Sequence, residues 1–508
     1  MNVAHLLDRA AQQYGGKTAL VFEDQTLTYA ELKDATARFA GGLRDLGIKP
    51  GDRVAVHLPN MPQFVVAIWG AMKAGAVPTP MNPQLRKREI AHQLQDSGAK
   101  VIFALVHNLE EVEKALGDAD PIKVVGVGGP SKYRRFREIL SQPHFVEREP
   151  DDPALQPYTS GTTGKPKGVV LTHNNLSSNI QAINRLITLS AEEHRMLVPL
   201  PMFHITGMTV MMLAPLSQGA TIYPMLRWDS QETLQMIQEH RITSMVGVPT
   251  LFIDMLHNPR CGEYDLSSLK VCSSGGAKLP VPVLEAFERK FNVTIYEGYG
   301  LTETSPVTHT NLASPKRKPG SIGMPIEACQ ARVVDDQDKP LATGQVGELL
   351  VRGPMVMQGY HNNPQATREV LSADGWFHTG DMAYVDGEGY YYIVDRKKDM
   401  IITGGYNVYP KEVEQVLYEH PAVADCAVVG IPDERKGETV KAFVVLKPGQ
   451  SANASLEEAI RQHCLSELAA YKHPREIEFV SALPRTGSGK VQKFKLKEQT
   501  SSEPSPAP

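Results

Sequence analysis

In its first hundred residues the sequence alternates between a helical and a strand-like hydrophobic period, and this alternation limits the fold more than any other feature. Thr28-Tyr29-Ala30-Glu31 is a capping box, Leu32, Ala35, Phe39 and Leu43 follow at helical spacing, and Gly47 suits the helix end. Residues 53–58 (RVAVHL) then read as a strand and 64–73 as a helix; further strands begin at 76–78 and 101–104. Strands separated by helices imply parallel sheets covered on both faces. With 508 residues the chain is too long for one hydrophobic core. The expected fold class is therefore α/β, a large N-terminal domain of mixed sheets covered by helices. No internal repeat of short period is present.

Near Asp395 the texture changes. Residues 388–394 (EGYYYIV) read as a tyrosine-rich strand, and Asp395–Asp399 (DRKKD) as a charged connector. Beyond it, 412–418 and 456–471 read as helices and 425–430 and 441–446 as strands, enough for a small α+β domain. The expected division is 1–395, a connector at 396–399, 400–497, and a tail at 498–508 too poor in apolar residues to fold. A net charge of −4 without a long Lys/Arg run gives no pull toward nucleic acid. Cys261, Cys272, Cys329, Cys426 and Cys464 are widely spaced, which suits a reducing compartment and fits no zinc motif. Asp8 and Arg9 stand where a signal peptide needs an apolar core, and no stretch approaches the ~18 apolar residues of a membrane span. A soluble, cytoplasmic protein is expected.

The most informative segment is 158–173, YTSGTTGKPKGVVLTH. Glycines let backbone N–H groups crowd round a phosphate, hydroxyls add donors, and lysines supply charge. Pro166 rules out the Walker-A pattern. A generic loop of this composition reads first as a flexible surface turn.

TSGTTGKPKG resembles the phosphate loop of the adenylate-forming superfamily, which holds acyl-CoA synthetases, firefly luciferases and the adenylation domains of peptide synthetases. Four further segments follow in that family's order: Tyr299-Gly300-Leu301-Thr302-Glu303, Thr379-Gly380-Asp381, residues 395–414 (DRKKDMIITGGYNVYPKEVE), and residues 484–490 (PRTGSGK). The likeness spans about residues 1–495, and its texture is most similar to bacterial fatty-acid CoA ligases. It implies a small-molecule carboxylic acid as substrate, with ATP, Mg²⁺ and coenzyme A. It implies a rotating C-terminal domain, and homodimers occur among the family's members.

The resemblance also implies roles. Thr159, Ser160, Gly161, Thr162, Thr163, Gly164, Lys165 and Lys167 would hold phosphates. Thr159 and Glu303 would serve Mg²⁺, whose hard charge prefers oxygen ligands, with Thr302 beside them in the catalytic set. Gly275, Gly276, Ala277, Glu297, Gly298, Tyr299 and Gly300 would wall the adenine, Tyr299 stacking on it. Asp381, read as lying in an exposed turn, would accept hydrogen bonds from both ribose hydroxyls. Ile393 and Arg396 would complete the nucleotide site. Lys490 would sit between carboxylate and α-phosphate, where charge builds in the transition state. Lys398 occupies the hinge, and Gly404 and Gly405 would replace Lys490 for thiol attack beside the pantetheine tunnel.

On the acyl side, Pro201–Gly207 (PMFHITG) resembles the motif whose histidine, here His204, gates the carboxylate pocket. Met208, residues 246–249 (VGVP) and Thr304 would line it. No Arg, Lys or Asp is placed there, so an apolar acyl tail is expected, a medium- or long-chain fatty acid first. An aryl-acid CoA ligase keeps every nucleotide motif; a luciferase-like oxygenase shares the hinge lysine. A non-catalytic nucleotide or acyl binder would not need Lys490, Asp381 and Glu303 together.

Overall fold

The computed structural model describes residues 1–117, 122–159, 166–403, 406–433, 435–485 and 491–501. The alternation in the first hundred residues builds a five-stranded parallel sheet, in the order Val77–Pro80, Arg53–His57, Val101–Leu105, Lys123–Val127 and Arg134–Arg135. Thr28 caps the helix Tyr29–Asp45 through a complete capping box. The helix Pro62–Lys73 is apolar all round and buries every residue but Gln63. Lys73 lies on its buried face, and its ammonium group reaches Asp8 at 2.6 Å.

A second sheet has nine strands: Met324–Pro325, Val307–Thr310, Ile295–Gly300, Val271–Ser274, Ser244–Gly247, Arg195–Val198, Thr221–Pro224, Thr18–Phe22 and Gln25–Thr28. Its six central strands are parallel and both edges turn antiparallel. A four-stranded antiparallel sheet (Gln330–Val334, Gly347–Arg352, Phe377–Val385, Tyr391–Arg396) leads to the connector. A small antiparallel sheet centred on Lys167–Thr172 joins Tyr158–Thr159, Pro153–Leu155 and Gly359–Tyr360.

Beyond the connector, Ile401–Thr403, Tyr406–Val408, Val423–Asp433, Gly437–Leu446 and Glu476–Phe479 form a fifth sheet. Residues 401–496 bury two apolar clusters that share no member with the larger cores. Several elements end at other residues than the sequence reading gives, and three of the differences have a local cause. The tyrosine-rich strand starts at Tyr391, because Gly389 (φ +85°) still belongs to a turn. The long helix is Ala454–Glu467, since Leu468 has extended backbone. The last helix, Lys493–Ser501, runs into what reads as tail.

Candidate active site

A continuous cavity of about 2300 Å³ lies at the carboxyl ends of the central parallel strands, where residues 200, 247, 274 and 298–300 reach its wall. That is where open α/β sheets bind ligands. The antiparallel sheet contributes Asp381, Ile393 and Arg396, and the C-terminal domain closes part of the remaining side.

Asp381 is not in an exposed turn. It lies within the strand Phe377–Val385, 2% exposed, opposite Arg396 in the register. Tyr299 donates its hydroxyl to Oδ2 at 2.5 Å, and Arg396 Nε meets Oδ1 at 2.8 Å. Burial and the adjacent carboxylate push the Tyr299 phenol well above its usual range. A carboxylate offers about four acceptor sites, so these two contacts leave capacity for a diol. The glycines of the opposite wall have a steric reason at Gly300, where a Cβ would lie 1.9 Å from the Pro306 carbonyl oxygen. Gly275, Gly276, Ala277 and Gly298 line the same stretch. Glu297, 6% exposed, accepts the Gly320 N–H at 2.6 Å, and burial raises its carboxyl to about 7.

Thr302 and Glu303 share a short 3-10 turn at the cavity edge. Tyr360 donates to Glu303 Oε1 at 2.8 Å, and the Lys167 ammonium lies 4.8 Å from the centre of the Tyr360 ring. Thr159 pairs with Lys167 across the small sheet, so hydroxyl, lysine and carboxylate share one face of the cavity. The described residues contain no cluster of three or more His, Cys, Asp or Glu that would cage a metal. The donors that are present, one carboxylate and one hydroxyl, suit Mg²⁺ shared with substrate phosphates. Ser160–Lys165 lie outside the described residues.

So do Gly404, Gly405 and Lys490. Around the last of these, Arg485 and Val491 pair with each other and line the cavity. Lys493 reaches Glu414 at 2.8 Å, and Glu414 also accepts the Val428 N–H, which fastens the C-terminal segment to the helix Pro410–Glu419. Asp395, 1% exposed, accepts the Arg396 N–H on one oxygen and the Lys411 N–H on the other, both at 2.7 Å. Lys398 is exposed at the cavity rim, and desolvation lowers its pKa. Lys278 bridges to Gln415 of the C-terminal domain at 2.9 Å.

On the acyl side, His204 and residues 246–249 line the cavity. Met208 and Thr304 do not: both are fully buried elsewhere, and the Thr304 hydroxyl is spent on the Pro306 carbonyl. Val210 and Phe203 take their place. The i-to-i−4 hydrogen-bond rhythm of an α-helix fails here because Thr206–Leu213 is a π-helix, which shifts the facing residue. Sequence reasoning missed Tyr360, Lys278 and Glu414; each acts through a partner dozens of residues or more away, and no local motif announces it.

The family described as "AMP-binding enzyme" matches residues 7–361, and "AMP-binding enzyme C-terminal domain" matches residues 412–490. The chain belongs to the AMP-binding enzyme family. This family is the adenylate-forming superfamily, and the chain is an AMP-forming CoA ligase that uses ATP, Mg²⁺ and coenzyme A on a carboxylic acid. It is 38% identical over 530 residues to a long-chain-fatty-acid–CoA ligase of Bacillus subtilis, covering 97% of this chain and 94% of the relative. It is 39% identical over 498 residues to a feruloyl-CoA synthase of an Amycolatopsis species, covering 96% and 97%. The crystal structure of an anthranilate CoA ligase in complex with anthranoyl-AMP superposes with a TM-score of 0.93 at 30% identity, covering 99% of this chain and 97% of that one. No helix among the described residues is long and apolar enough to cross a membrane.

Proposed function

We propose that this AMP-binding enzyme activates a fatty acid of medium or long chain as acyl-AMP and then transfers it to the thiol of CoA. The observation that carries the substrate is the acyl wall, where Phe203, Val210, Met196, Val246, Ile183 and Ile187 present apolar surface without a charged side chain among them. An apolar wall of this kind separates neighbouring chain lengths only weakly, by ~10–200-fold per methylene. An aryl acid is the second reading, supported by the relation to a feruloyl-CoA synthase and an anthranilate CoA ligase.

In this reading Asp381 holds the ribose diol, with Arg396 and Tyr299 fixing its two oxygens. Ile393, Glu297, Gly298, Gly300 and residues 275–277 surround the nucleoside, and Thr159, Lys167 and residues 160–165 take the phosphates. Mg²⁺ would be held by Glu303 and Thr159 and would neutralise phosphate charge. Lys490 stabilises the encounter of carboxylate and α-phosphate, in which the acid oxygen bonds to phosphorus as pyrophosphate departs. Thr302 and His204 border the reacting carboxylate, and Lys398 marks the pivot at 396–399 between domains 1–395 and 400–497. We place the enzyme in the cytoplasm, in keeping with its five free thiols. Pyrophosphate release across a series of acids, with and without CoA, tests the reading. A preference beyond a thousandfold for a charged acid would refute it.

A further inference from the structure

The residues that directly precede Thr159 and Lys167 are held by one and the same helix. This helix, Lys87–Ser97, packs on the five-stranded parallel sheet through Ile90 and Leu94, which share an apolar cluster with Ala55, Ile102 and Ala104. His92 and Asp96 stand four residues apart on it, and so on one face. Neither of their side chains is on the cavity wall. Asp96 Oδ2 accepts the Tyr158 hydroxyl at 2.6 Å. His92 Nε2 lies 3.0 Å from the Pro166 carbonyl oxygen, which can only accept, so this nitrogen carries the proton. The His92 ring also meets the Tyr158 ring edge-on, with centres 6.4 Å apart. Tyr158 leads into Thr159 and Pro166 into Lys167, and these two pair across the small sheet at the cavity wall. The grip has little slack. Gly168 lies opposite Tyr158, and a Cβ there would come within 2.9 Å of the Gln156 amide nitrogen and 3.1 Å of the Tyr158 ring. Burial and the Asp96 carboxylate push the Tyr158 phenol well above its usual range, so it stays a donor. Asn362, two residues past the Tyr360 that donates to Glu303, adds a contact to the Asp96 carbonyl at 3.4 Å.

We propose that His92 and Asp96 are positioning residues for acid adenylation, holding Thr159 and Lys167 at the spacing the phosphates of the nucleotide require. The inference rests on the reading of Thr159 and Lys167 as phosphate and Mg²⁺ partners. Tyr158–Thr159 is a strand of two residues and cannot fix its own place; a helix keyed into an apolar layer can. A misplacement of ~1 Å in a group that orients a reactant costs on the order of a hundredfold in rate. Pyrophosphate departs in the first half-reaction. The grip therefore serves acyl-AMP formation and is not needed when the thiol attacks acyl-AMP.

Pyrophosphate release with the best acid of the series reports the first half-reaction, and thioester yield from its synthetic adenylate plus CoA reports the second. His92→Leu and Asp96→Leu should each lower kcat for pyrophosphate release by about tenfold or more, with the KM for the acid and the thioester yield within about threefold of the wild type. His92→Gln can still donate to Pro166 and Asp96→Asn can still accept from Tyr158, so these variants should recover most of the loss. Equal loss in both half-reactions, or glutamine and asparagine variants no better than the leucine ones, would reduce the two residues to supports of the fold and overturn the proposal. Undiminished pyrophosphate release in both leucine variants overturns it as well. Should the leucine variants not fold, Tyr158→Phe, which deletes a single hydroxyl, decides: unaltered release overturns the proposal, and a selective loss of the first half-reaction upholds it. Thr159→Ala and Lys167→Ala are the reference. If they leave release unaltered, the phosphate reading falls and this inference with it; if they impair release and the His92 and Asp96 variants do not, this inference alone falls.

Discussion

Replacing Asp381 by alanine should damage both stability and nucleotide use, and the structure separates the two. The carboxylate is 2% exposed and holds Tyr299 at 2.5 Å and Arg396 at 2.8 Å. Removing it strands a guanidinium whose side chain is one-third exposed, together with a half-buried phenol. Breaking a fully buried pair costs ~3–5 kcal/mol; partial exposure of Arg396 brings this toward ~2–3 kcal/mol. Each ribose hydroxyl bound to a carboxylate adds ~1.5–3 kcal/mol to nucleotide binding, so losing both in Asp381→Ala should raise the KM for ATP by about two to four orders of magnitude. Asp381→Asn keeps the shape and the phenol contact and should recover part of the stability but little of the ATP use. Denaturant unfolding gives the first quantity, and pyrophosphate release with ATP and 2′-deoxy-ATP gives the second. An Asp381→Ala protein as stable as the wild type, or one that still discriminates against the deoxy nucleotide as strongly, would refute the reasoning.

Tyr360→Phe removes the donor on Glu303 and should lift the Mg²⁺ concentration for half-maximal pyrophosphate release several-fold; an unchanged requirement would detach Glu303 from the metal. Lys490→Ala should abolish acyl-AMP formation yet still convert synthetic acyl-AMP and CoA to thioester, whereas Gly405→Leu should do the reverse; equal loss of both steps in a folded Lys490→Ala protein contradicts the two assignments. Burial lowers His57, His173 and His194 to about 4 and His309 to about 3. Their folded values lie below the unfolded value near 6.5, so the stability they contribute is present above pH 6.5 and is lost as pH falls toward 4. At pH 5 each should oppose the fold by about 2 kcal/mol, and a melting temperature that stays flat from pH 7 to 5 would show that they are solvated.

The residues proposed to hold the nucleotide could be picked out because they come in short ordered motifs: glycines, hydroxyls and an aspartate at fixed separations. Their surroundings could not be. Nothing local to Thr379-Gly380-Asp381 distinguishes an exposed turn from a buried strand; that depends on Tyr299 and Arg396 arriving from two other strands. The acyl half was legible only as apolar. Its facing residues follow a π-helical rhythm that moved the wall from Met208 to Val210. The helix and strand pattern of the first hundred residues transferred to the structure with ends displaced by one or two positions, because capping and crossover geometry are themselves local.

Asp395 joins the last strand of the large domain to the first turn of the helix Pro410–Glu419 through one carboxylate. If the domains turn about 396–399 as proposed, such a fastening is not a swivel free to wander but a detent, with a notch at this orientation. Leaving the notch means releasing the Lys411 amide and the Lys278–Gln415 bridge, about 3 kcal/mol together and roughly a hundredfold in dwell time. In the proposed rotation, a joint of that depth would hold one chemical step in place long enough to finish, while remaining shallow enough to be escaped on every turnover.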